Sequence, residues 1–259
     1  MIFSEAQLNA WVAAFFWPMV RIGALFLSAP LFSSHQVPAQ LRLFLMLMVT
    51  FIVAPTLPPM PQADVLSHIG FMVMLQQIVI GVMMGFMLQM VFAALVFGGQ
   101  VIAYSMGLGF ASMVDPANGV QVPVVAQFYL ILATLLFLIF NGHLLSIELV
   151  VDSFKTMPVA VDGISRNELL DLVAWGSRLF SGGLIIALPI VGAMLMVNLG
   201  MGVVMRAAPQ LNIFSIGFPV TVLVGFALIW LTLPNAFTIF NDLQDEAFHH
   251  LMQTLRVTR

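Results

Sequence analysis

Five histidines are the first place to look for chemistry, because imidazole can carry a proton near neutral pH or ligate a metal. His35, His68 and His143 are isolated in sequence, and His249 and His250 adjoin in a hydrophilic tail. A lone histidine is more often a satisfied structural residue than a ligand, so no metal is expected. His143, beside Asn141 at the end of an apolar run, reads either as a proton carrier or, more simply, as a hydrogen bonder at a helix end. There is no cysteine, which excludes disulfides, thiolate catalysis and Cys-ligated metals. No HExxH, P-loop lysine motif, GxSxG elbow or intramembrane GxGD motif occurs, so neither an enzyme nor a cofactor is expected. What remains for ion chemistry within or beside the apolar runs is Arg21, Glu148 and His143. A small-molecule secondary transporter would have to pair such groups at broken helices.

The stretch Gly98 to Pro123, GGQVIAYSMGLGFASMVDPANGVQVP, departs from ordinary membrane-spanning sequence. Its glycines and prolines break regular helix. Yet Met106, Leu108, Phe110, Met113 and Val114 are apolar, and Asp115 is its only charge. A water-facing linker would be more polar. Irregular backbone at membrane depth is tolerated only when buried in protein or lining a cavity. The other reading is an interfacial hairpin loop between two spans.

Composition sets the context for that loop. Of 259 residues, 61% are hydrophobic and 7% charged, where soluble domains carry about a quarter charged residues. Between Arg42 and Glu148 the only full charges are Asp64 and Asp115. The chain is therefore an integral membrane protein, expected to fold as one membrane-embedded domain over 1–259. Its net charge of −3, with eight basic residues scattered singly, offers no nucleic-acid surface. The N-terminus lacks a basic leader region, and Arg21 interrupts its apolar run, so no cleaved signal peptide is expected.

All-α architecture follows, with helical runs at about 5–28, 41–57, 69–103, 122–140, 179–205 and 213–233, and amphipathic helices near 143–157 and 166–178. Ser4 with Gln7, and Ser165 with Glu168, have the spacing of capping boxes. Pro18 is expected to kink the first helix, and Arg21 either faces protein or snorkels to an interface. The run 69–103 is uncharged and exceeds the ~20 residues that cross a bilayer upright, so it must tilt, bend or project. Within it Gly81 and Gly85 permit close helix approach. Gln89 and Gln100, about three turns apart, share a face and argue for packing against other helices. Met83, Met87 and Met90 read as adaptable core, while Glu148, Asp152 and Lys155 form a solvated stripe. If both termini lie inside, Lys155, Arg166, Arg178, Arg256 and Arg259 are inner and Arg42 and Arg206 outer, a weak positive-inside bias.

Several segments together resemble the FliR family of flagellar export-gate proteins and its counterparts in virulence type III secretion systems. They are Gly107-Leu108-Gly109-Phe110 with Met113-Val114-Asp115-Pro116; Asn141-Gly142-His143 followed by Ser153-Phe154 and Pro158; and Arg206 to Phe214 (RAAPQLNIF) leading to Gly217-Phe218-Pro219. The similarity runs along essentially the whole chain, and the flagellar branch is the nearer. It implies a pore subunit in the bacterial inner membrane at the flagellar basal body. FliP-like and FliQ-like subunits, an FlhB-like switch protein and unfolded flagellar export substrates would be its partners. It also implies that residues 106–121 form a plug in the pore, and that not every helix crosses the bilayer.

On that reading Met106, Phe110, Met113 and Val114 seal the passage, Gly107, Gly109 and Gly119 give the loop mobility, and Asp115-Pro116 fixes a turn. Arg206, Pro209, Gln210, Gly217 and Pro219 join Gly81, Gly85, Gln89, Gln100 and His143 as packing or assembly positions. The alternatives are the corresponding virulence-system subunit, a secondary transporter, or a purely structural scaffold.

Overall fold

A computed structural model describes residues 5–33, 37–60, 67–109, 124–208 and 216–257. Among them are eight α-helices and no strand: α1 Glu5–Ser28, α2 Ala39–Val53, α3 His68–Ser105, α4 Val124–Ile139, α5 Gly142–Thr156, α6 Arg166–Trp175, α7 Ser177–Ala207 and α8 Phe218–Thr254. Among the described residues five stretches are long and apolar enough to cross a membrane: Trp11–Ser28, Ala39–Thr56, His68–Ser105, Arg166–Ala207 and Phe218–Thr254. The pair α4 and α5, bent by 62° at the Asn141 break, makes a sixth if taken as one span. At that break Asn141 adopts a left-handed backbone (φ 56°), and a Cβ on Gly142 would press into the Phe137 ring.

The helices follow the hydropathy runs with one correction. The last run extends through the polar tail to Thr254, although hydropathy ends it near residue 233. Mean polarity hides the reason, which is spacing. Ala236, Phe240, Leu243, Ala247 and Leu251 recur at helical intervals and are all buried, so the tail keeps an apolar stripe. Pro234 sits inside this helix, as Pro18 and Pro189 sit inside α1 and α7. The Ser165–Glu168 box is formed in both directions: Ser165 N donates to Glu168 Oε2 (2.6 Å) and Glu168 N to Ser165 Oγ (3.3 Å). Ser4 of the other box lies outside the described residues.

Contacts cluster into two compact units, the first comprising 1–89, 137–175 and 246–259 and the second 90–136 and 176–245. In the first, α1 meets the front half of α3 along one face. Gln77, Gly81 and Gly85, four residues apart, lie against Arg21, Ala24-Leu25 and Ser28-Ala29 in the same rising order, so the helices run parallel here. A Cβ on Gly81 would fall 2.6 Å from Ala24 Cβ, and one on Gly85 2.6 Å from Ala29 N. Only glycine lets the backbones approach this closely.

The second unit uses the same device. Gly98 of α3 meets Gly183 of α7, where a Cβ would lie 2.9 Å from the Gly183 carbonyl oxygen. Phe97 stacks edge-on with Phe180 (centroids 5.5 Å), and Phe92 with Phe240 of α8 (5.7 Å). Gly99 receives Ala126 and Tyr129 of α4.

These notches predict opposite outcomes for like substitutions. Gly85→Val should cost roughly 3 kcal/mol or more, because backbone atoms of Ser28 and Ala29, as well as the Ser28 hydroxyl, stand in the way. Gly192→Ala, where nothing lies within 4 Å, should be neutral or gain up to about 1 kcal/mol of helix propensity. Thermal unfolding of the two purified variants checks both.

Candidate functional site

The glycine-broken segment leaves the end of α3, and its first residues are described. Met106 is fully buried, and Gly107, Leu108 and Gly109 are half-buried. Phe110, Met113, Val114, Asp115, Pro116 and Gly119 lie outside the described residues, as do Pro209 and Gln210.

A helix must dispose of its last carbonyls, and here the sequence supplies a specific stop. Leu108 N donates to Ala103 O (3.0 Å) and Gly107 N to Tyr104 O (3.1 Å), with Gly107 at φ +81°. This is a Schellman turn, and its left-handed residue is glycine because a Cβ there would be strained. Gly107 therefore has a fixed conformational duty at the helix stop, distinct from the mobility expected of it. At Gly109 a Cβ would fall 2.7 Å from the Tyr104 ring.

Two further side chains reach the same carbonyl end from elsewhere in the second unit. Asn198 of α7 donates Nδ2–H to Ser105 O (3.3 Å). Thr221 Oγ1 of α8 lies 3.3 Å from Met106 O and 2.9 Å from Phe218 O, one proton facing two acceptors. Met106 itself fills the notch at Gly225, where a Cβ would lie 2.7 Å from its sulfur. The base of the segment is thus held by a backbone turn, two polar side chains and a methionine in a glycine notch.

The other singled-out positions scatter. Gly81 and Gly85 lie in the crossing with α1 described above. Gln89 is exposed on this chain and falls on the outward stripe of α3 with Leu75, Ile78, Val82 and Phe86. Gln100 is half-buried. His143 is half-buried near the start of α5, its Nδ1 enclosed and without a partner. Arg206 is exposed in the last turn of α7. Gly217 is buried just before α8, and Pro219 is exposed in that helix's first turn, where a missing N–H costs nothing. No group of three or more His, Asp or Glu side chains that could hold a metal occurs among the described residues.

The strongest polar feature is Arg21, which faces protein and is fully buried. Its Nε donates to Gln77 Oε1 (2.8 Å), NH1 to Ser153 Oγ (2.9 Å) and NH2 to the Met157 carbonyl (2.9 Å). The Phe154 ring covers its face at 4.1 Å. Sequence reasoning marked Arg21 and missed its cage, although two polar residues in apolar surroundings, Gln77 and Ser153, were the available signal. Asn198, a polar residue deep in the apolar run of α7, was an equally visible sign of a partner and was also passed over.

Residues 12–247 match the family described as bacterial export proteins, family 1. The flagellar biosynthetic protein FliR of Escherichia coli K12 is 42% identical over 248 residues, covering 96% of this chain and 95% of the relative. FliR of Pectobacterium carotovorum is 40% identical over 255 residues, covering 98% and 97%. FliR of Bacillus subtilis is 28% identical over 249 residues, covering 94% and 93%.

The anchor at the end of α3 makes a size-swap prediction. Gly225→Val should lower the unfolding midpoint by several degrees, since overpacking typically costs 1–3 kcal/mol. Adding Met106→Ala to it should recover at least half of that loss. A double-mutant cycle read by thermal unfolding reports the coupling; strictly additive effects would refute the contact.

Proposed function

The chain belongs to the FliR family, bacterial export proteins, family 1, and on that premise we propose that it is a non-enzymatic pore subunit of the flagellar type III export apparatus. It resides in the bacterial inner membrane at the flagellar basal body. It assembles there with FliP-like and FliQ-like subunits beside an FlhB-like switch protein, and unfolded flagellar proteins pass through the joint passage. The segment from Met106 to Gln121 is the plug: Met106 anchors its start, Phe110, Met113 and Val114 seal the passage, and Asp115-Pro116 sets its turn.

The observation that carries this reading is the helix end from which the segment departs. A water-exposed carbonyl terminus needs no side chains to satisfy it, because water does so. Here Asn198 and Thr221 are spent on the Ser105 and Met106 carbonyls, and Met106 is sunk into the Gly225 notch. A plug needs one end fixed in protein, and this provides it.

A secondary transporter is the weaker reading. Its principal buried cation, Arg21, is committed to three neutral acceptors that come from the chain itself.

Deleting residues 110–119, which spares the Schellman turn, should raise ion leakage in cells carrying the full set of partner subunits. Flux of a membrane-impermeant dye or a sodium load measures it. Unchanged leakage with normal assembly would count against a plug.

A further inference from the structure

Two helices end in the same backbone turn with different residues at its centre. At the end of α3 the left-handed position is Gly107. At the end of α8, Val257 N donates to Met252 O (2.8 Å) and Arg256 N to Gln253 O (3.1 Å), again a Schellman pair, but the residue held at φ +58° is Arg256. A side chain with a Cβ resists that conformation, and glycine does not. Among the described residues the only other non-glycine with positive φ is Asn141, a residue type that tolerates it. Left to its backbone preference, Arg256 would return to right-handed values and the turn would come apart.

A carboxylate on another helix opposes that return. Arg256 NH2 donates to Glu168 Oε1 (3.1 Å). The other oxygen, Glu168 Oε2, already accepts from Ser165 N (2.6 Å) at the start of α6, so the carboxylate is aimed before the arginine reaches it. Each charge also sits at the helix end that favours it, the anion in the first turn of α6 and the cation just beyond α8. Both residues belong to the first unit, and Leu251 and Leu255, one turn apart just before the turn, are fully buried. The opposing effects are of like size. A left-handed residue with a Cβ shifts the balance roughly tenfold towards opening. The ion pair, with its side chains 62% and 21% exposed, returns at most about fivefold.

We propose that the end of α8 is a releasable clasp with two positions. Closed, Arg256 is left-handed and bonded to Glu168, and the last turn of α8 is tied to the start of α6. Open, the ion pair parts, Arg256 relaxes to right-handed values, the bond from Val257 N to Met252 O breaks, and the last turn frays. Arg256 is the moving part. Glu168 is the catch, and Ser165 keeps its carboxylate aimed in both positions. Because strain and ion pair nearly cancel, the clasp opens locally, without unfolding the rest of the first unit. This inference does not depend on the plug reading.

Amide hydrogen exchange of the purified full chain tests this, followed by mass spectrometry on overlapping peptides across residues 247–257. Glu168→Gln keeps an acceptor for Ser165 N and removes the charge, so exchange at residues 255–257 should quicken about fivefold while α1 and α3 stay unchanged. Arg256→Gly loses the ion pair and the strain together, so Val257 should remain as protected as in the unaltered chain. Adding Glu168→Gln to Arg256→Gly should then change nothing further. Arg256→Ala keeps the strain and loses the catch, so Val257 should be about tenfold less protected than in the glycine variant. Glu168→Gln without effect on residues 255–257 would overturn the proposal, because the ion pair would then hold nothing. Exchange quickened equally in α1 and α3 would overturn it by making the opening global. Equal protection in the alanine and glycine variants would do so as well, by leaving no strain to release.

Discussion

One buried arginine constrains the whole first unit. A guanidinium removed from water must have its donors met, at a cost of several kcal/mol where they are not. Arg21 obtains its acceptors from three places far apart in sequence: Gln77 on α3, Ser153 on α5 and the carbonyl of Met157 just beyond α5. The helices must converge for this to happen. Phe154, next to Ser153, then falls over the guanidinium face. Nothing in the apolar packing of α1 alone specifies such a meeting; lipid-facing and protein-facing leucines are chemically alike, whereas a cation has few acceptable addresses.

The glycines on α3 make that address reachable. Gln77 can touch Arg21 only if the two helix axes come close, and Gly81 and Gly85, one and two turns further on, remove the side chains that would hold them apart. The Gly81 position lies against the Arg21 carbonyl itself. Polar recognition and close packing are thus a single arrangement: the amide sets the register, and the glycines set the distance. In the second unit Gly98 and Gly183 again bring backbones together, and there the fixed element is the carbonyl end of α3 rather than a charge.

Hydropathy made most of the helices legible, because a run such as 69–103 has no other way to satisfy its backbone in lipid. It failed at α8, where the periodic burial of Ala236, Phe240, Leu243, Ala247 and Leu251 is concealed by the acidic and histidine residues between them. The candidate segment was legible as a break but not as an anchored one. Gly107 was noticed as a glycine, and its positive φ follows from being the second residue after the end of α3, which the pattern alone does not locate to one residue. Gln77, Ser153, Asn198 and Thr221 were polar residues in apolar helices, and each turned out to bond across elements. Their partners are separated from them by 56 to 132 residues, a distance at which one sequence carries no pairing information.

These four residues also separate two kinds of polar group in an apolar chain. Ser28, Thr134 and Ser146 return their hydroxyl protons to carbonyls of their own helix four residues back, which satisfies the side chain and ties nothing together. Gln77, Ser153, Asn198 and Thr221 instead meet groups that would otherwise be unsatisfied: a guanidinium on one side, and the terminal carbonyls of α3 on the other. Substituting the first kind removes a donor and its need together, a nearly neutral change. Substituting the second kind strands a charge or a helix end. A segment that begins where two such side chains converge has its point of departure set by contacts outside itself, so where it starts is a property of α7 and α8 as much as of its own residues.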